Sequence, residues 1–214
     1  MSGLSSEILL EAYAQGVFPM AESAEDDDVF WVVPEQRGML PLNQFHVTRR
    51  LKRTIRSDCF EVRVDHDFSA VIAGCAEKVE NRKTTWINEV IHHAYVQLFF
   101  AGHGHSVEVY DQGKLAGGLY GIHLGGAFFG ESMFHRSRDA SKVALAYLVG
   151  RLKVGGFTLL DTQFLTDHLK QFGAIEIPQE KYLEYLDEAL AVSANWWTMG
   201  EKVSGGELLG MLEN

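Results

Sequence analysis

No apolar run in this chain approaches the roughly 18 residues that mark a membrane-spanning helix, so a helical membrane protein is not expected. Cysteine is nearly absent. Cys59 and Cys75 are the only two in 214 residues and lack metal-type spacing, which speaks against a disulfide framework and for a reducing compartment. The first residues, Met1-Ser2-Gly3-Leu4-Ser5-Ser6-Glu7, offer neither a basic region nor an apolar core. No secretory leader is read there, and a cytoplasmic protein is expected. Positive charge is also scarce. Lys and Arg number 19 against 29 Asp and Glu, a formal charge of −10, which is the wrong sign for a general nucleic-acid binder. Across residues 1–47 the only Lys or Arg is Arg37. There is no internal repeat.

What the chain does contain is material for a sizeable core. Its hydrophobic fraction of 46% and charged fraction of 22% are ordinary for a globular protein, and a chain this long buries roughly 70% of its unfolded surface. Glu7–Gln15 reads as a short helix closed by Gly16. A fixed apolar turn over Gly16-Val17-Phe18-Pro19-Met20 follows, then an acidic loop from Glu22 to Asp28 and a short strand at Val29–Val33 closed by Pro34. Thr48 is placed to cap a helix on which Val47, Leu51 and Ile55 share a face. A strand at Phe60–Val64 and helices at 68–77 and 88–101 come next. The centre is a β meander of His105–Tyr110, Lys114–Leu124 and Ala127–Phe134, turned at Asp111-Gln112-Gly113 and Gly125-Gly126. Beyond it the pattern alternates: helix Ala140–Leu152, strand Phe157–Asp161, helix Thr166–Phe172, strand Ala174–Ile177, helix Gln179–Ala191. The tail after Ala194 shows no clear pattern. The expected class is α+β with a mostly antiparallel central sheet. Its divisions are a small N-terminal unit (1–37), a main domain (38–194) and a tail (195–214).

Five constellations carry candidate chemistry, each with a plainer reading. Arg49, Lys52, Arg53 and Arg56 fall on one helical face, either a solvated amphipathic surface or a stripe that neutralises phosphates. Glu131 lies in Gly130-Glu131-Ser132-Met133-Phe134. Alternation puts it with Phe129 and Met133 on one face, where a carboxylate either meets solvent or waits for a cation. Asp161 and Gln163 end an apolar strand and project to one side. The Asp is a turn cap, or it accepts a bond from the Gln amide and fixes its direction. Trp86, after Arg82-Lys83-Thr84-Thr85, is a buried anchor or a stacking surface for a base. His103 and His105 would need a third ligand to hold a metal, and neither a metal nor a cofactor is expected. Gly117-Gly118 and Gly125-Gly126 match no phosphate-cradling pattern.

Taken in order, the short motifs resemble those of the bacterial leucyl/phenylalanyl-tRNA–protein transferases over about residues 8–190. The likeness rests on Ala12-Tyr13-Ala14-Gln15-Gly16-Val17-Phe18-Pro19, on Trp31 with Pro34 and Arg37, and on Thr85-Trp86-Ile87. It continues through Gly102-His103-Gly104-His105-Ser106-Val107-Glu108-Val109, Gly117-Gly118-Leu119-Tyr120-Gly121, Gly130-Glu131-Ser132-Met133-Phe134, Ala140-Ser141-Lys142, Asp161-Thr162-Gln163 and Phe172-Gly173-Ala174. The resemblance implies a main domain of the GNAT acyltransferase type. The implied reaction moves Leu or Phe from aminoacyl-tRNA to the α-amine of a protein beginning with Arg or Lys, marking it for N-end-rule degradation. It also implies catalytic roles for Glu131, Asp161 and Gln163, and a side-chain pocket of Leu119, Phe128, Met133, Leu148 and Leu160. Trp86 would contact the terminal adenosine, and Arg49, Arg53 and Arg56, with Lys52 on the same stripe, would hold tRNA.

The chain departs from the family in two places. Met20 stands where many relatives carry an adenine-stacking Trp after Phe-Pro. A Gly- and Leu-rich segment that precedes this region in many relatives is not seen, so a trimmed small domain is expected. Two rival readings remain. One is an acyl-CoA N-acetyltransferase, against which stands the absence of glycine from His135-Arg136-Ser137-Arg138-Asp139-Ala140-Ser141-Lys142. The other is a catalytically silent RNA-binding module, against which stands the joint presence of Glu131, Asp161 and Gln163.

Overall fold

The structure is a computed structural model and describes residues 4–26, 28–78 and 84–213. Arg82 and Lys83, the cations beside Trp86, lie outside the described residues. Helix starts are set by side chains that satisfy the first free N–H groups. Ser5, Thr48, Asp67 and Asn88 each accept from the backbone N–H three residues on, opening α1 (Ser6–Ala14), α2 (Arg49–Arg56), α3 (Phe68–Ala76) and α4 (Glu89–Phe100). The longest helix, α5 (Ala140–Val154), instead follows Asp139, whose side chain makes no capping bond. Thr166 caps the short α6 (Asp167–Lys170), and α7 (Gln179–Leu190) and α8 (Gly205–Glu213) complete the helices described.

A hairpin of β1 (Phe18–Met20) and β2 (Phe30–Val32) forms a sheet of its own. The main sheet has seven strands: β3 (Gln36–Met39), β4 (Glu61–Val64), β5 (Gly104–Asp111), β6 (Lys114–Leu124), β7 (Ala127–His135), β8 (Leu159–Gln163) and β9 (Ile175–Pro178). Their spatial order is β4-β5-β6-β7-β8-β3-β9, antiparallel throughout except between β7 and β8. The chain is therefore α+β with a mostly antiparallel mixed sheet. One face of the sheet packs against α2, α5 and α8 through Leu51, Leu119, Phe128, Leu148, Leu160 and Leu208. The other packs against α1, α3, α4 and α7 through Tyr13, Ile72, Tyr95, Phe129 and Leu186. Helix α5 is apolar nearly all round because it is sandwiched between the sheet and α2 with α8.

Four local expectations need correction. The segment expected as a fixed turn contributes β1, because Phe18 and Met20 pair with Val32 and Phe30. Residues 36–39, assigned no element, form β3 inside the main sheet, held on both sides by β8 and β9. The tail carries a helix, and buried Arg151 ties its approach to α5 by donating to the carbonyls of Trp196 (2.8 Å), Met199 (2.6 Å) and Gly200 (2.9 Å). The fourth concerns β7. Tyr120 pairs with Ser132 but Gly121 pairs with Gly130, so Glu131 is an extra residue in the ladder. Such a bulge reverses the alternation beyond it. Phe129 and Met133, expected on one face with Glu131, belong to opposite cores.

Candidate active site

The bulge matters because of where it falls. β7 and β8 pair only from Ala127 with Leu159 to Phe129 with Asp161, and then part. β8 is irregular at the same level: Met39 faces Asp161 while Gly38 faces Gln163, leaving Thr162 unmatched. Gln163 itself has a φ of 60°, a conformation uncommon for a residue with a Cβ. Between the parted strands lies a cavity of about 830 Å³. Its walls combine apolar Leu119, Met133, Leu145, Leu148, Leu160 and Leu169 with the polar side chains of Tyr120, Glu131 and Gln163, and with Trp86 and Met20. Four buried polar side-chain atoms among the described residues have no hydrogen-bond partner: Tyr120 Oη, Thr162 Oγ1, Gln163 Nε2 and His168 Nε2. All four residues line this cavity. Unpartnered buried polar groups are rare in native proteins and call for an explanation, and a polar ligand is one.

Glu131 is 8% exposed. It accepts from Tyr13 Oη at 2.7 Å and from Tyr95 Oη at 2.9 Å, one hydroxyl to each oxygen, and the two tyrosine hydroxyls also touch each other. Among the described residues no cation pairs with it. Burial pushes its carboxyl up to about 7, although the contacts with Tyr13, Gln163 and Tyr95 favour the anion. The Gln163 amide nitrogen stands near Glu131 but completes no hydrogen bond of good geometry. Burial, with the Glu131 charge second, holds the Tyr13, Tyr95 and Tyr120 hydroxyls well above their ordinary range.

Asp161 is fully buried and does not line the cavity. Arg37 reaches it through Nε at 3.0 and 3.1 Å and through Nη2 at 2.5 Å, and Tyr182 donates to it at 2.7 Å. The Arg37 guanidinium lies 4.6 Å from the ring centres of both Phe18 and Tyr182 and donates to the Gly16 carbonyl at 2.9 Å. Burial opposes the Arg37 charge, but Asp161 outweighs it and raises the pKa. The expected bond from the Gln163 side-chain amide to Asp161 is not made. Asp161 instead accepts from the Gln163 backbone N–H at 2.7 Å. That bond fixes the backbone at positive φ and leaves the side chain to the cavity.

The structure thus brings Glu131, Gln163, Leu119, Met133, Leu148, Leu160, Trp86 and Met20 to one cavity. Phe128 sits deeper, fully buried and stacked 5.5 Å from Trp196. Leu51 and Ile55 of α2 face the core, as the spacing required. Arg49, Arg53 and Arg56 are exposed without an ion pair among the described residues, while Lys52 meets Glu213 at 3.0 Å. Arg50 links α2 to Asp139, at the start of the helix that carries Ser141 and Leu145 into the cavity wall. His105 hydrogen bonds to Asp65 (2.7 Å) and His123 (2.9 Å), and no described cluster of three or more His, Cys, Asp or Glu is placed to share a metal. No described helix is long and apolar enough to cross a membrane. The sequence reading assigned no role to Tyr13, Tyr95, Tyr182 or Arg37. Arg37 alone carried a local signal, as the only Lys or Arg among residues 1–47.

Known sequences converge on the same region. The family pattern for the leucyl/phenylalanyl-tRNA protein transferase matches residues 39–187, and that for its N-terminal domain matches residues 3–35. A leucyl/phenylalanyl-tRNA–protein transferase of Rhodopseudomonas palustris (strain TIE-1) is 55% identical over 99% of this chain and 95% of its own length. One from Paramagnetospirillum magneticum is 55% identical over 95% of this chain and 97% of its own. Among solved structures, L-PGS from Bacillus licheniformis aligns at a TM-score of 0.44 and 12% identity over 75% of this chain and 60% of its own, too low to bear on the fold. With near full-length matches above half identity, and with the cavity walls inside the matched span, the chain belongs to the leucyl/phenylalanyl-tRNA–protein transferase family.

Proposed function

We propose that the cavity receives the aminoacyl-adenosine end of an aminoacyl-tRNA and that the site passes its Leu, Phe or Met to the N-terminal amine of a protein beginning with Arg or Lys. The product is a new peptide bond and an N-terminus read by the N-end rule, in the cytoplasm. One observation carries this reading: a single cavity lined by leucines and a methionine also holds a carboxyl and an amide where two strands part. That parting, beside α5, also supports assigning the main sheet and its helices to the GNAT acyltransferase architecture; because β3 (Gln36–Met39) belongs to that sheet, a small N-terminal domain would end before residue 36 rather than at 37.

The chemistry is aminolysis of an ester. The amine nitrogen forms a bond to the ester carbon, the bond to the ribose oxygen breaks, and one proton passes from amine to ribose. Holding the two reactants in line supplies up to about 7–11 kcal/mol of the barrier. A carboxyl near 7 is matched to proton transfer at neutral pH, so Glu131 takes the amine proton. Gln163 has no useful basicity; its carbonyl oxygen accepts a hydrogen bond from the amine and aligns it. Asp161 does not touch the substrate. It is a positioning residue that holds Gln163 through the backbone. Trp86 and Met20 flank the adenine, Met20 offering a softer, non-planar surface. Leu119, Met133, Leu148 and Leu160 enclose the apolar side chain, with Phe128 behind them. Since one methylene is worth only about 1–3 kcal/mol, Leu, Phe and Met are poorly separated. Arg49, Arg53 and Arg56 lead the tRNA backbone inward.

The test is transfer from labelled leucyl-tRNA to peptides that begin with Arg, Lys, Asp or Ala. Label is expected on the Arg and Lys peptides only. Label on all four sinks the acceptor assignment, and label on none sinks the transferase reading.

A further inference from the structure

The proposed function leaves Ser141, Lys142 and His168 unused, although Ser141 and His168 face the cavity. We infer that the first turn of α5, with these three side chains, is a phosphate subsite that takes a phosphodiester near the 3′ end of the donor RNA. The inference rests on the donor assignment above.

Helix α5 has 15 residues and no side-chain cap. The backbone N–H groups of Ser141 and Lys142 find no acceptor among the described residues. Free N–H groups and the positive end of a long helix favour an anion. Ser141 is 3% exposed and lines the cavity, and its hydroxyl makes no hydrogen bond among the described residues.

His168 provides a second donor. Its Nδ1 lies 3.2 Å from Gln171 Nε2, an amide that only donates, so Nδ1 accepts and the proton sits on Nε2. That Nε2–H is buried without a partner. Burial first, then Lys142 and His135, hold the ring below its ordinary pKa, so it stays a neutral donor at neutral pH. Lys142 supplies the formal charge. Asp139 stands 3.6 Å from Lys142 and opposes an anion, but it is already paired with Arg50 at 2.9 Å. The same Arg50 belongs to α2, so the subsite continues the track of Arg49, Arg53 and Arg56 to the cavity. The glycine-free run from His135 to Lys142 cannot wrap a pyrophosphate as a flexible glycine turn does. It offers a short fan of donors suited to one phosphate.

The experiment compares two minimal donors, 3′-phenylalanyl-adenosine with and without a 5′-phosphate, using a peptide that begins with Arg. The readout is the ratio of their kcat/KM values. Wild-type protein is expected to favour the phosphorylated donor by about tenfold or more, the scale of one charge-assisted hydrogen bond. Lys142→Ala should bring the ratio near one, Lys142→Arg should keep it high, and His168→Ala should lower it a few-fold. A wild-type ratio near one, or a ratio that survives Lys142→Ala, overturns the subsite. Transfer from neither donor by wild-type protein overturns the donor assignment instead. Lys142 is partly exposed, so its replacement does not threaten folding.

Discussion

Two carboxylates sit on adjacent strands in this molecule, both buried, and they are handled in opposite ways. Asp161 meets a guanidinium, a phenol and a backbone N–H, and it has no exposure to the cavity. Glu131 meets two neutral phenols, no cation among the described residues, and the cavity itself. Asp161 has its hydrogen-bonding capacity taken up by the guanidinium, the phenol and the backbone N–H. A buried carboxylate with neutral donors only is held near its titration point, because burial favours the acid and hydrogen bonds favour the anion by similar amounts. Under the proposed mechanism, the contrast separates a residue that shapes the site from one that exchanges protons in it.

The contrast breaks most visibly at Asp161. Asp161→Asn preserves shape but leaves Arg37, 1% exposed, without its counter-charge. Removing one partner of a buried ion pair costs roughly 3–5 kcal/mol. Denaturant unfolding should show a loss of that size, with transfer activity lost alongside. A loss below about 1 kcal/mol would mean that Asp161 is not the anchor described.

At Glu131 the expected effect is chemical. Glu131→Gln should lower kcat by about a hundredfold or more and remove the rise in rate expected of wild-type protein as pH climbs through about 7. Stability should move the other way. The folded pKa of about 7 exceeds the ordinary 4.5, so the acid form favours folding below 4.5 and that advantage is lost as pH rises through 7. The Gln variant escapes this loss. Relative to wild type it should gain up to roughly 3 kcal/mol between pH 4.5 and 7. A wild-type stability that is flat across this range, measured by urea unfolding at each pH, would return Glu131 to the class of Asp161.

Much of this fold is legible in the sequence. Thr48 and Asn88 cap helices where a capping residue precedes an apolar period, and Gln112 with Gly113 turns β5 into β6 at positive φ as such a hairpin requires. The site is less legible, for two physical reasons. Alternation assumes an unbroken ladder, and the irregularities at Glu131 and Thr162 are decided by how β7 and β8 part, which no local pattern records. The partners of the carboxylates are also remote. Arg37 lies 124 residues from Asp161, and Tyr13 lies 118 from Glu131. Local spacing can nominate a carboxylate, but whether it meets arginine or tyrosine is a property of the packed core. The exception is α2, whose apolar and basic faces need only the helical period and appear where the spacing puts them.

The finest test removes one hydroxyl from each centre. Tyr182→Phe deletes the donor to Asp161 Oδ2, and Tyr95→Phe deletes the donor to Glu131 Oε2. Each is one neutral hydrogen bond, worth about 1 kcal/mol, so the two variants should lose similar, small amounts of stability. Their kinetics should differ. Asp161 keeps Arg37 and the Gln163 N–H, so Tyr182→Phe should leave the pH dependence of kcat/KM where it was. Glu131 keeps only Tyr13 and the nearby amide of Gln163, so losing Tyr95 disfavours the anion. The ionisation that controls the rate should then move above 7, and kcat/KM at pH 7 should fall by up to about fivefold. If both variants shift the pH profile, or neither does, the two carboxylates do not differ in kind. A downward shift for Tyr95→Phe would show that the tyrosine hydroxyl opposes the Glu131 charge, and Glu131 would then lose its place as the proton acceptor.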